Sequence, residues 1–502
     1  MVRAVESLQM EIGETAISAI RFNPKSRDDI PKILRGLQYI YLTPSIREPI
    51  FKLLEEKLLP GVNKQAGRPG LSLWKILVMG VVRLDLNCDY DRLEELVNQH
   101  KTVRQMLGHP DFSDEFTYHM QTIKDNVRLL TPELLEEVNQ VIVKAGHELL
   151  GKKKGNQALR GRCDSFVVET HVHYPTDIHL LFDAVRKVIQ LTAGLCTAHP
   201  ISDWRQQAYN VKQMKRQMRI TQQKKRHSGQ TPRQKMNAEK GIKQAHVDLI
   251  KLSGTFLNKM EGTLAKVTQT GVLKASDLAL IERIRYFSNH AHRQIEQIHR
   301  RVLQDEKIPH EEKVFSLFQP HTEWVAKGKV GVPVELGLRV CVLEDQHQFI
   351  LHHRVMQKET DSQVAIPMVS ASKSAFPRLT SCSFDKGFHS PENQHILQGQ
   401  LNVVALKRKG KLSQQAQRIE SSSEFKAAHH KHAAVESAIN ALEVHGLDRC
   451  PDHGIDGFKR YVALAIVARN IHRIGHILHQ KAQAKLARLR NRCRDGTFAL
   501  AA

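Results

Sequence analysis

The chain has 502 residues, more than one ordinary domain holds, and 41% of them are apolar, enough to bury real cores. Lys and Arg number 75 against 52 Asp and Glu, a formal charge of +23. That balance excludes an acidic solvating protein and makes nucleic acid the leading partner.

Residues 1–150 read as helical. IREPIFKLLEEKLLP (46–60) has apolar residues at helical spacing and stops at Pro60, before the Gly-rich basic loop GVNKQAGRPG (61–70). LSLWKILVMGVVRLDL (71–86) is apolar on most faces, with Ser72 placed as its N-cap, so it reads as a core helix. Lys75 and Arg83 interrupt it, so it does not span a membrane, and MVRAVESLQMEIGE carries no apolar signal core; the chain reads as cytoplasmic. Two short helical stretches follow, 91–99 and 102–108, in a helix-turn-helix-like arrangement suited to DNA. TPELLEEVNQVIVKAGHELL (131–150) is an amphipathic helix with Thr131 as its cap.

The period changes after the basic linker GKKKGNQALRGR. CDSFVVET (163–170) is a strand, and PTDIHLLFDAVRKVIQLTAG returns to helix. The stretch 204–238 contains no acid but carries Lys212, Lys215, Arg216, Arg219, Lys224, Lys225 and Arg226, the pattern of a phosphate-contacting surface. Helical character persists to about 305. Strand period resumes with 334–344 and 348–356, then come a helix (361–376), a strand ending on Asp385, a helix, a strand (401–409) and two helices (425–446 and 457–478). The domains read as an all-α DNA-binding domain (1–150), a linker with the first core strand (151–176), a basic helical insert (177–310), the rest of the core (311–480) and a basic tail (481–502). Seven cysteines without a close pair argue against a disulfide framework. Cys163, Cys341 and Cys382 lie in apolar runs as buried thiols, and Cys450-Pro-Asp-His453 has metal-like spacing without a second pair.

With the helical excursion set aside, the element order is that of an α/β ribonuclease-H-like core, a mixed sheet flanked by helices. Such a core gathers carboxylates from its first strand, its fourth strand and a late helix. Asp164, Asp385 and Glu436 occupy those places. Phosphodiester chemistry needs an activated oxygen nucleophile and a stabilised leaving oxygen, and two divalent ions held by carboxylates supply both. Glu169 and Asp177 compete with Asp164 less well: Glu169 falls on the opposite strand face and Asp177 after the turn. On a continuous helix, His432, Glu436 and Asn440 share one stripe. His432, Lys431 and Lys386 are the phosphate-contacting candidates beside the acids, as Lys224, Lys225 and Arg226 are in the insert.

DSFVVETHVHYPTD (164–177), PHTEWVAKGK (320–329), SFDKGFHSPEN (383–393), HAAVESAINALEVHGLDRC (432–450) and RYVALAIVARNIHRIG (460–475), with GRPGLSLWKILVMGVVR (67–83), resemble a bacterial insertion-sequence transposase of the DDE class, most closely the ISNCY group. The resemblance implies Asp164, Asp385 and Glu436 as a metal-binding catalytic triad with two Mg²⁺ or Mn²⁺ ions. It also implies recognition of terminal inverted repeats and target DNA, and a homo-oligomer on DNA. Many relatives in the wider class carry Arg four residues before the Glu; this chain has His432, which is expected to titrate near neutrality and to serve phosphate best when protonated. Two other readings stay open: a metal-dependent nuclease without strand transfer, and a DNA-binding protein derived from such an enzyme.

Overall fold

A computed structural model describes residues 15–58, 70–110, 115–151, 157–199, 201–226, 231–269, 273–326 and 334–494. Most of the Gly-rich loop, the linker's lysine run, the Arg226 side chain and the last eight residues lie outside them. The chain forms two compact units, one of 1–171 with 325–502 and one of 172–324.

Among the described residues the first unit opens with seven α-helices: α1 (Ile30–Leu42), α2 (Pro44–Leu58), α3 (Leu73–Asp85), α4 (Tyr90–Gln99), α5 (Lys101–Met106), α6 (Met120–Val127) and α7 (Pro132–Leu149). The expected caps form, since Ser72 accepts from the Lys75 amide and Thr131 from the Leu134 amide. Helix α3 is buried on nearly every face, as its all-round apolar sequence requires. Helix α5 has only six residues, and Val103, Gln105 and Met106 are buried.

The seven strands of the sheet are β1 (Leu159–Thr170), β2 (Glu323–Ala326), β3 (Val334–Glu344), β4 (Ile350–Val355), β5 (Leu379–Phe384), β6 (Val403–Leu406) and β7 (Arg449–Cys450). The path β4-β3-β1 is antiparallel and β1-β5-β6 is parallel, the ribonuclease-H-like order. Helices α12 (Asp361–Ala375) and α13 (Pro391–Gln400) supply the crossovers that the parallel strands need. Then follow α14 (Gln414–Ser421), α15 (Ser423–His430), α16 (Ala434–Leu442) and the long α17 (Gly454–Arg494). Cys163, Cys341 and Cys382 are buried as expected, with Cys163 Sγ 3.5 Å from Cys341 Sγ and no disulfide.

Two sequence expectations need correction. The helical region 1–150 is not a body of its own: α1, α3 and α7 pack on α17, which is apolar and buried on every face from Tyr461 to Ala468. A Cβ at Gly475 would lie 1.8 Å from the Lys32 carbonyl oxygen, so α1 and α17 touch backbone to backbone where only glycine fits. Asn470 and Asn139 close the free edge of β4. Asn470 Oδ1 accepts from the Ile350 amide at 2.9 Å, and both side-chain amides donate to the Ile350 carbonyl, at 2.9 and 3.1 Å. The second correction concerns 425–446, expected as one helix. It is broken by a 3₁₀ turn (Lys431–Ala433) and ends in a kinked turn (Glu443–Leu447) where Gly446 takes φ +107°.

The second unit is a helical bundle: α8 (Asp177–Ala198), α9 (Gln207–Arg226), α10 (Pro232–Gln269, 38 residues) and α11 (Ala275–Ile298). Thr176 caps α8, accepting from the His179 amide. The bundle has its own core around Leu181, Val185, Met214, Leu249, Leu257 and Ile284. Met214, Met218 and Thr221 bury one side of α9, whereas Lys212, Lys215, Arg216 and Arg219 are exposed on the other. Lys224 and Lys225 are exposed near its end. Among the described residues no helix is long and apolar enough to cross a membrane.

Candidate active site

The parallel pairing of β1 with β5 sets Cys163 opposite Phe384. The next residue on each strand is therefore an acid, Asp164 beside Asp385, on strands about 4.8 Å apart. Asp385 is exposed at the end of β5, where the chain enters a 3₁₀ turn containing Lys386, also exposed. Glu436 is exposed in the first turn of α16, a helix that packs on β1 through its buried face, Val435 and Ala438.

A fourth carboxylate joins them, one that the sequence did not single out. Asp361 starts α12, and its Oδ1 accepts from Ser165 Oγ at 2.7 Å. A Cβ at Gly387 would sit 3.2 Å from Asp361 Oδ2 and 3.7 Å from Asp385 Oδ2, so these two acids face one small space. In sequence Asp361 reads as an ordinary helix-start acid following Thr360, and nothing local marks it otherwise. Burial, together with the charges of Asp385, Asp361 and Glu436, raises the Asp164 pKa from 3.8 to about 6. The competitors are committed elsewhere: Glu169 pairs with Arg449 at 2.7 Å and Asp177 with Arg301 at 2.6 Å.

His432 does not sit one α-turn before Glu436, because the 3₁₀ turn changes the winding between them. Its ring turns inward, with Nδ1 3.1 Å from Ser383 Oγ. Burial lowers its pKa below the usual 6.5 despite the opposing pull of Asp385 and Glu436. At neutral pH it is thus an uncharged hydrogen-bonding group, rather than the titrating stand-in for arginine that the sequence suggested. Lys431 is exposed and lines a cavity of about 420 Å³ with Arg160, Arg162, Ser381 and Ser383, on the strand pair that carries the acids. Arg162 is already engaged there, 2.6 Å from Glu344 and donating to the Asp345 carbonyl.

Among the described residues, Asp164, Asp385 and Glu436 form no ion pair, and only Arg339 approaches Asp361, at 3.8 Å. Clustered carboxylates without a balancing side-chain cation fit oxygen-seeking ions such as Mg²⁺ or Mn²⁺. The sign of the pH effect follows. Asp164 holds its proton more tightly folded than unfolded, so its contribution to stability is full below pH 3.8 and is lost as pH rises through about 6. Mn²⁺ should therefore raise the melting temperature strongly above that pH and weakly below it. Asp361→Asn should move the crossover to lower pH by removing a like charge. A pH-independent Mn²⁺ shift in thermal unfolding would show that Asp164 does not meet the ion.

A second group was missed entirely. Asp85, His445 and His472 each offer a ligand atom, all within 4.8 Å of one another, and can hold a single metal ion. They come from the end of α3, the kinked turn and α17, so no sequence spacing links them; an acid and a histidine inside apolar helices were the only signals. Within a ribonuclease-H-like fold, a group able to hold an ion fits metal-dependent catalysis in general. Cys450 is buried, and burial raises its thiol pKa to about 12.

Neither family models, curated proteins nor solved structures give a match to this chain.

Proposed function

We propose that this protein is a metal-dependent nuclease acting on DNA phosphodiester bonds, and that cleavage serves strand transfer, the activity of a DDE transposase. The carrying observation is the meeting of Asp164, Asp385 and Glu436 at a ribonuclease-H-like sheet, where burial and then the neighbouring carboxylates raise the Asp164 pKa. The transposase reading rests in addition on the sequence resemblance; the nuclease reading does not need it.

Asp164, Asp385, Glu436 and Asp361 would hold the ions, which supply an activated oxygen nucleophile and stabilise the leaving oxygen. Ser165 fixes the Asp361 carboxylate through its hydroxyl. Lys431 and Arg160, which line the cavity on the same strand pair, meet the backbone of the bound strand. Ser383 and His432 hold each other and tie the 3₁₀ turn before α16 to β5.

The test is incubation of the full chain with its own flanking DNA and Mg²⁺ or Mn²⁺. Metal-dependent nicking supports the nuclease, and joining of a 3′-hydroxyl end to a second duplex supports the transposase. Binding without nicking would leave a DNA-binding protein of the same descent.

The exposed basic side of α9 gives a separate expectation. On duplex DNA each neutralised phosphate contributes roughly −0.9 to the slope of log affinity against log salt. Replacing Lys215, Arg216 and Arg219 with Gln should flatten that slope by about two to three. An unchanged slope in a salt titration would make this side of α9 a solvated face only.

A further inference from the structure

We propose that Asp85, His445 and His472 form a binding site for one borderline first-row divalent ion, zinc or its like, separate from the carboxylate site. The donors decide the class. Two imidazole nitrogens and one carboxylate suit Zn²⁺ or Co²⁺, whereas Mg²⁺ takes oxygen and keeps its waters. Three protein ligands leave one position open to water. Asp85 and His472 are buried, at 2% and 7% exposure, while His445 is partly exposed and gives the ion a way in.

The backbone around the three ligands is held without an ion. Asn87 Nδ2 donates to the Val444 carbonyl at 3.3 Å, and Tyr461 Oη donates to the Gly446 carbonyl at 3.0 Å. Gly446 takes φ +107°, and a Cβ there would lie 2.9 Å from Tyr461 Oη, so the kink needs glycine. The His445 ring meets the Asp85 carbonyl through Nδ1 and lies 5.1 Å, centroid to centroid, from the His472 ring. His472 Nδ1 is 2.9 and 3.1 Å from the two Asp85 carboxylate oxygens, and its Nε2 is 3.9 Å from Asp29. A plain buried His–Asp hydrogen bond accounts for His472 and Asp85. It does not account for a second imidazole, that of His445, held so that a ligand atom from each of the three side chains lies within 4.8 Å of the others.

The site is not part of the acid cluster. His445 follows Glu436 by nine residues, roughly 13 Å of helical rise, against about 4 Å for a catalytic ion pair. An ion there would tie the C-terminal end of α16 to α3 and α17.

The experiment is a Co²⁺ titration of the untagged, chelator-treated full chain in excess Mg²⁺, followed by the visible absorption of Co²⁺. One equivalent should bind, be displaced by one equivalent of Zn²⁺ and resist Mg²⁺. His445→Gln and His472→Gln should each weaken binding by more than about a hundredfold, since loss of even an outer-shell partner costs about ten- to a hundredfold. Asp164→Asn should bind as the wild type does. Absence of a saturable Co²⁺ band in the wild type overturns the proposal, whatever the variants do. So does a band that survives His445→Gln in a folded protein, or one that disappears in Asp164→Asn. None of these outcomes depends on whether the chain cleaves DNA.

Discussion

Asp164→Asn, Asp385→Asn and Glu436→Gln should each reduce metal-dependent DNA cleavage by about a thousandfold or more while leaving DNA binding nearly intact. The magnitude follows from the several kcal/mol of transition-state charge stabilisation that bound ions supply, at about 1.4 kcal/mol per tenfold in rate. Binding is spared because DNA affinity comes mainly from cations meeting phosphates, and the substitutions remove negative charge. The variants should also fold. Asp385 and Glu436 are exposed, and Asp164 is a like-charged neighbour of three acids, so neutralising it relieves repulsion. Asp361→Asn should have a smaller effect, because its carboxylate also holds the Ser165 hydroxyl and faces Arg339. Gel assays of nicking beside filter binding check all four. Near-normal cleavage by any one of the triad variants removes that residue from the site.

Arg83→Ala should destabilise the first unit by about 3–5 kcal/mol, the usual cost of breaking a buried ion pair from one side. Arg83 is 2% exposed, on α3. Its Nη2 lies 2.7 Å from Asp452 Oδ1 and its Nη1 donates to Tyr90 Oη at 3.2 Å. The guanidinium carbon stands 4.0 Å from the Tyr90 ring centroid. Burial pulls the Arg83 pKa down, but the hydrogen bond and charge of Asp452 outweigh it and raise the pKa overall, so the cation persists where it is packed. Removing the guanidinium leaves the mostly buried Asp452 side chain with Arg460, at 3.6 Å, as its remaining cationic partner among the described residues. Arg83→Lys should recover part of the loss, keeping the charge without the planar fork and the ring stacking. Arg83→Met with Asp452→Leu should recover more, because no charge is stranded. Urea unfolding of all these proteins, with Arg83→Met and Asp452→Leu alone completing a double-mutant cycle, measures the coupling. A loss under about 1 kcal/mol for Arg83→Ala would mean that the pair is solvated in solution.

The sequence by itself determined the element order, and with it the sheet. Alternating β-branched runs and the caps at Ser72, Thr131 and Thr176 are local signals, and each acts where it is written. The order of strands leaves few topologies open, so the placement of Asp164 next to Asp385 was legible from 163–170 and 379–385 alone. The apolar setting of the three core cysteines was legible for the same reason. Tertiary structure decided the rest. Periodicity says that a helix face is buried but not against what, so the packing of 1–150 on α17 could not be read from either segment. The run FKAAHHKHAAVESAINALEVHG has unbroken helical propensity; its 3₁₀ turn and kink come from contacts of Ser383, Asp85 and Tyr461, up to hundreds of residues away in sequence. Asp361 and the Asp85–His445–His472 group escaped notice because a site is a meeting of side chains in space. When its members lie on three separate segments, only the fold brings them together.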